Sequence, residues 1–232
     1  MRRLPAAAIT LTLAAMAYGV VLGTVGDVTF RGTTVPQGRE HRAALAIRDD
    51  VTAFQKWGTE MFTRQYLRRY YDAAWYFTQA RKDGQEAEFV ACLDGALDRY
   101  PQVDLFLLAH TNRYVKWVAG LSEERRRHLR LVYNTGCHNE AQNARWLEVG
   151  AEAYVGHPGV TWSPVFYYFF LRRWTRGSAI DEAVEVSNRH MERVLKAWEW
   201  ISWGRWDAAA LIRETTASFH GNGQLRITGH IQ

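Results

Sequence analysis

Two short apolar runs, each ending in a reactive side chain, constrain this chain more than any other feature. Val103-Asp-Leu-Phe-Leu-Leu-Ala109 leaves a Tyr100-Pro101 turn and stops at His110, and Leu129-Arg-Leu-Val-Tyr-Asn-Thr135 stops at Gly136-Cys137. Runs of that length between turn residues suit strands buried on both faces, the environment of a parallel sheet. His110 and Cys137 lie 27 residues apart, enough for one crossover helix. Ser122 offers that helix an N-cap, and Glu123 and Glu124 supply first-turn acids. The two strands are therefore expected side by side, with the histidine and the cysteine at one carboxyl edge. That edge is where open α/β sheets collect their functional residues.

The flanking sequence extends the pattern. From 43 to about 72 the apolar residues Leu45, Phe54, Trp57, Met61, Phe62, Tyr66 and Tyr70 recur at helical spacing and predict one or two amphipathic helices. Another helix is expected over 85–99, closed by Pro101, and Trp75-Tyr-Phe-Thr78 is the one strand candidate between them. After Cys137, a helix over 139–149 leads to a strand over 151–156. Ser163-Pro164 caps and opens a helix to Trp174 that Gly177 ends, and a long helix begins near Ile180. Gly221-Asn222-Gly223 reads as the turn of a terminal hairpin. Strands alternating with helices predict the α/β class, a three-layer sandwich around a mostly parallel sheet.

Ahead of this body, Met1-Arg2-Arg3 precedes an uncharged stretch over 4–25, and Asp27 follows it. This is an export signal or a membrane anchor. Its length, close to the ~20 apolar residues of a spanning helix, favours an anchor that leaves the body outside the cytoplasm, in the cell envelope. The expected organisation is thus 1–26 signal peptide or anchor, 27–42 linker with Gly, Thr and Pro, and 43–232 α/β domain with a helical extension and a terminal hairpin. The 47% hydrophobic and 13% aromatic content supports a full core. A net charge of +5 is dispersed among arginine pairs interleaved with acids, which argues against a nucleic-acid groove. Two cysteines build no disulfide framework; a single Cys92–Cys137 bridge is open to them in an oxidising compartment, but Cys92 falls on the core face of a predicted helix, which favours two free thiols.

A thiol beside an imidazole gives up its proton more readily, and the thiolate attacks a carbonyl. His110 is then the base and Cys137 the nucleophile, with the backbone N–H groups of Thr111 and Cys137 facing the oxyanion. Asn134, Asn139, Glu140 and His157 are candidates for a substrate pocket, and Glu140 or Glu152 would suit a basic side chain. His138 and His157 could join His110 on a metal, but no further cysteine or carboxylate follows at ligand spacing. Neither a metal nor an organic cofactor is expected.

With this order of elements the chain resembles the caspase-like cysteine peptidase superfamily, which includes caspases, legumains, gingipains, separases and the bacterial CHAT-domain proteins; the resemblance is closest to the last. In that superfamily an apolar strand ends in the general-base histidine, a helix follows, and the next strand ends in a small residue and the nucleophilic cysteine. Residues 104–110 and 129–137 are similar to those two strands. Gly150-Ala-Glu-Ala-Tyr-Val-Gly156, Phe166-Tyr-Tyr-Phe-Phe170 and Gly177-Ser-Ala-Ile-Asp-Glu-Ala183 resemble the elements that come next. Covering about 85–200, the resemblance implies a cysteine endopeptidase acting on a protein or peptide, with specificity set by the residue before the scissile bond. The chain departs from the family at Thr111, where glycine is usual, and in the two strands that should precede the histidine strand, where mainly helix is read. A catalytically inactive binding or scaffold module of the same fold at the membrane is the alternative. Trp198, Trp200, Trp203 and Trp206 favour it, since they cannot all point inward from one helix. Acyl transfer or hydrolysis of a non-peptide substrate by the same dyad is a third reading.

Overall fold

In the computed structural model, which describes residues 38–78, 86–110 and 113–228, the two apolar runs form adjacent parallel strands. The elements in chain order are β1 (Arg42–Arg48), α1 (Ala53–Tyr70), β2 (Ala73–Thr78), α2 (Glu86–Arg99), β3 (Gln102–Leu108), α3 (Arg113–Ala119), α4 (Glu123–Arg126), β4 (Leu129–Asn134), α5 (Asn143–Glu148), β5 (Ala153–Gly156), α6 (Ser163–Trp174), α7 (Ile180–Ile201), α8 (Ala208–Thr215) and β6 (Ser218–Gly221). One sheet, ordered β2-β1-β3-β4-β5-β6, holds all six strands. The first five run parallel and β6 runs antiparallel to β5, so the fold is α/β with a mostly parallel sheet. Residues 1–37, which carry the expected anchor and most of the linker, lie outside the described residues, as does Thr111.

Helices cover both faces. On one, Leu45, Ile47, Leu105 and Leu107 pack with Phe89, Leu93 and Leu97 of α2, Tyr114 and Val118 of α3, and Trp146 of α5. The spacing of Phe89, Leu93, Ala96 and Leu97 puts them on one helical stripe, and each of the large ones stabilises by roughly 1.5–3 kcal/mol when fully buried. On the other face α6 packs against α1 and α7. Tyr133 of β4 meets Tyr167 and Phe170 edge-on, at centroid distances of 5.4 and 4.6 Å.

The central pair carries a buried ion pair made possible by a bulge. Val103 pairs with Leu129 but Asp104 pairs with Leu131, so Arg130 is an extra residue on β4. Its guanidinium grips Asp104 at 3.0 and 2.7 Å. Tyr71 donates to the same carboxylate at 2.5 Å, and Trp174 donates to Tyr71 at 2.8 Å.

Three local expectations change. Residues 43–48 form β1 and not helix. Alanine gives the segment helical propensity, but it lies buried between β2 and β3, whose ladders satisfy its backbone. β1 opens at Arg42, so the last linker residue belongs to the sheet; its buried Nη1 donates to Ile227 O at 2.6 Å. The helix waits until Thr52, whose hydroxyl accepts from Gln55 N. Second, the Gly221-Asn222-Gly223 turn does not close a hairpin. Gly221, at φ 87°, brings β6 against β5, and Asn222 N donates to Glu152 O at 3.0 Å. Third, Ser163 is inside α6, and its hydroxyl donates to Thr135 O at 2.8 Å instead of capping the helix.

Candidate active site

β3 and β4 end side by side, and one amide joins the loops that leave them. Asn134 Oδ1 accepts from Ala109 N at 3.1 Å and from Gly136 N at 2.9 Å, the residues immediately before His110 and Cys137. Thr135 N adds a bond to Leu107 O at 2.8 Å. Gly136 is required by the same closeness, because a Cβ there would overlap the Ala109 carbonyl. These constraints set His110 and Cys137 at neighbouring strand ends, where each side chain shifts the other's pKa.

Hydrogen bonding with His110 is the largest cause of a lowered Cys137 pKa; burial opposes it, and Thr161 adds bonds through its backbone and hydroxyl. The His110 pKa is raised to about 9, first by Asp49 and then by the thiol, against burial. Asp49 follows β1 directly and is 7% exposed. Its Oδ2 accepts from His110 N at 3.0 Å and lies 3.9 Å from the ring Nδ1. Its Oδ1 accepts from Arg113 Nη2 at 2.7 Å and from Tyr114 OH at 2.6 Å. Burial alone would raise the Asp49 pKa, but the bonds from His110, Tyr114 and Arg113 hold it well below the ordinary carboxylate range. The Asp49 carboxylate near the ring favours its charged form, and the ring lowers the Cys137 pKa. Cys92 makes the contrast: burial pushes its thiol up to about 11. Both cysteines are free.

The residues expected to wall a pocket have other places. Asn134, Asn139 and His157 are fully buried. Asn139 Nδ2 donates to Asn134 O at 3.1 Å and to Gly136 O, while its Oδ1 accepts from His157 N at 3.0 Å. His157 shares a hydrogen bond with Thr215 O at 2.8 Å and stacks on Tyr133, and burial lowers its pKa to about 4, so it is neutral at neutral pH. The Asn134 and Asn139 side chains hold the cysteine loop from beneath, His157 meets it through its backbone, and none of the three side chains is open to a pocket. Glu140 is half-buried and accepts from Ser218 Oγ at 2.6 Å, which commits it to β6. Glu152 precedes β5 and so lies at the amino edge, opposite the dyad, where it accepts from Asn222 Nδ2 at 2.7 Å. His138 is exposed in a left-handed conformation, φ 54°. Among the described residues no three His, Cys, Asp or Glu side chains gather as they would around a metal.

Sequence reasoning missed Asp49, Arg113, Tyr114 and Thr161. Asp49 had a signal, hidden by the helical reading of β1. Just past a buried parallel strand, it occupies the same kind of position as His110 and Cys137. No protein-family model and no curated protein matches the chain.

Proposed function

We propose that the chain is a cysteine endopeptidase with a caspase-like three-layer sandwich, held at the membrane outside the cytoplasm by its N-terminal segment. The observation that carries this reading is the placing of His110 and Cys137 at the neighbouring ends of β3 and β4, where each shifts the other's pKa, with Asp49 Oδ2 3.9 Å from the ring Nδ1. β1 and β2 add support, because they supply two strands ahead of the histidine strand.

The chemistry follows from the geometry. His110 holds the thiol proton, and the Cys137 sulfur attacks the peptide carbonyl carbon while the C=O electron pair moves to oxygen. The oxyanion accepts from the Cys137 N–H, and the sequence offers the N–H of Thr111, outside the described residues, as a second donor. The imidazolium then gives its proton to the leaving amine, and the acyl-enzyme forms. Water, deprotonated by His110, releases the acid and restores the thiol. Asp49 acts through the ring by keeping it oriented and favouring its charged form. No metal or organic cofactor is called for by these steps.

The test uses the full chain in detergent, treated with iodoacetamide over a pH series, with Cys92 and Cys137 followed separately by mass spectrometry. Wild type, His110→Ala and Cys137→Ala are compared, and peptide-library hydrolysis is measured alongside. Cys137 is expected to react faster than Cys92, to keep reacting to lower pH, and to lose that advantage in His110→Ala. Equal reactivity of the two thiols would overturn the dyad. A reactive Cys137 with no hydrolysis of any peptide would favour the binding module.

A further inference from the structure

α7 ends in a turn that displays tryptophan where burial would be expected. Trp200 and Trp203 are 83% and 93% exposed, and Trp206 is 50% exposed. Gly204 N donates to Glu199 O at 2.9 Å and Trp203 N to Trp200 O at 3.2 Å, the two bonds of a Schellman motif. The residue after the C-cap of that motif takes a left-handed conformation and is usually glycine. Here it is Trp203, at φ 57°. A bulky side chain in that region is strained, and a ring left in solvent recovers none of the strain by packing.

The charges around the tip are arranged to match. Glu199 and Asp207, the acids of 197–207, accept from Ala208 N at 3.1 Å and from Ala210 N at 2.9 Å. Arg205 stands exposed among the tryptophans, and Arg193 and Lys196 are exposed on the helix behind them, Lys196 in an exposed pair with Glu192. Indoles next to cations are the chemistry of a bilayer interface. The ring sits at the acyl boundary, its N–H meets the headgroups, and basic side chains meet anionic lipid. The sequence supplies a reason for a bilayer to be close by. An uncharged run over 4–25 precedes the domain, and residues 27–37 reach at most ~40 Å when fully extended.

We propose that the tip carrying Trp200, Trp203 and Trp206 docks into the interface of an anionic lipid bilayer. Docking at this tip does not depend on the dyad, and its test does not read peptide cleavage. Residues 1–37 contain no tryptophan, so indole fluorescence reports on the domain alone. The full chain is reconstituted into phosphatidylcholine–phosphatidylglycerol vesicles, with or without bromine on the acyl chains near the headgroup. Bromine quenches indoles at contact distance.

Wild type is expected to lose emission on brominated lipid. The loss should shrink several-fold in W200S/W203S/W206S, and in wild type when phosphatidylglycerol is left out. Circular dichroism checks that the triple variant folds. Trp203→Gly, which keeps the turn in its preferred residue, is the second variant and should lose part of the quenching. Equal quenching in wild type and variants, no quenching of floated wild type, or failure of the chain to float with vesicles would each overturn the proposal. Unquenched wild type that dimerises through these side chains would assign the tip to a second copy instead.

Discussion

Replacing Asn134 by alanine removes the one acceptor shared by the loop that carries His110 and the loop that carries Cys137. Two backbone donors, Ala109 N and Gly136 N, then lose partners at 3.1 and 2.9 Å beneath a side chain with 0% exposure. A buried donor left unsatisfied costs about 1–3 kcal/mol, so relaxation of the loops leaves a net loss of roughly 2–4 kcal/mol. A domain with ~5–15 kcal/mol of stability survives that loss and stays folded in water. Urea denaturation followed by circular dichroism measures the stability, and iodoacetamide labelling measures the site. The variant is expected to unfold at lower urea with an unchanged slope, and its Cys137 should lose both its advantage over Cys92 and its dependence on His110. Asn134→Asp keeps oxygen acceptors for both donors and should recover part of the labelling rate despite burying a charge. A stability loss under about 0.5 kcal/mol together with wild-type Cys137 labelling would refute the idea that this amide holds the two loops together.

Gly136→Ala should do comparable damage by the opposite route, pushing the loops apart where a Cβ meets the Ala109 carbonyl. Slower Cys137 labelling and a loss of about 1–3 kcal/mol in urea are expected. Asp49→Asn should lower the His110 pKa. Because the folded value of about 9 lies above the ordinary 6.5, the stability it confers is complete below 6.5 and is lost as pH rises through 9. Denaturation over that window should show the decline in wild type and flatten in the variant. Asp104→Ala leaves the buried Arg130 guanidinium without its carboxylate, bonded to Gln102 Oε1 and the Arg226 and Ile227 carbonyls alone among the described residues. A loss of about 3–5 kcal/mol in urea is expected, far larger than from breaking the exposed Arg189–Glu185 pair.

The parts of this molecule that could be read from its sequence are those where side chains alone decide the outcome. β3 and β4 were legible because unbroken apolar runs of strand length have few other uses, and the helical stripe of α2 because it repeats at 3.6 residues. β1 was not, since Arg42-Ala-Ala-Leu-Ala-Ile-Arg48 favours helix locally and becomes strand only between two neighbours. That error concealed Asp49. The dyad's two members could be named because each ends a strand, while the supports around it could not. Asn134, Asn139 and His157 are polar residues beside a cysteine, and polarity near a loop does not say whether a side chain faces in or out. His157 also ends a strand, yet Phe166 and the Thr215 carbonyl cover it, whereas His110 stays open to solvent. The partner of β6 was not legible because a Gly-Asn-Gly turn specifies a reversal and not the strand that receives it.

The order β2-β1-β3-β4-β5-β6 seats His110 and Cys137 on the two middle strands, with two more strands on either side. Fraying begins at sheet margins, so the outermost strands can open and reclose while His110 and Cys137 keep their spacing. Amide protons of β3 and β4 should therefore be among the last to exchange. Chains altered along β2 or β6, by insertion, fusion or edge-to-edge association, should keep the iodoacetamide reactivity of Cys137 at its unaltered level until the sheet as a whole gives way.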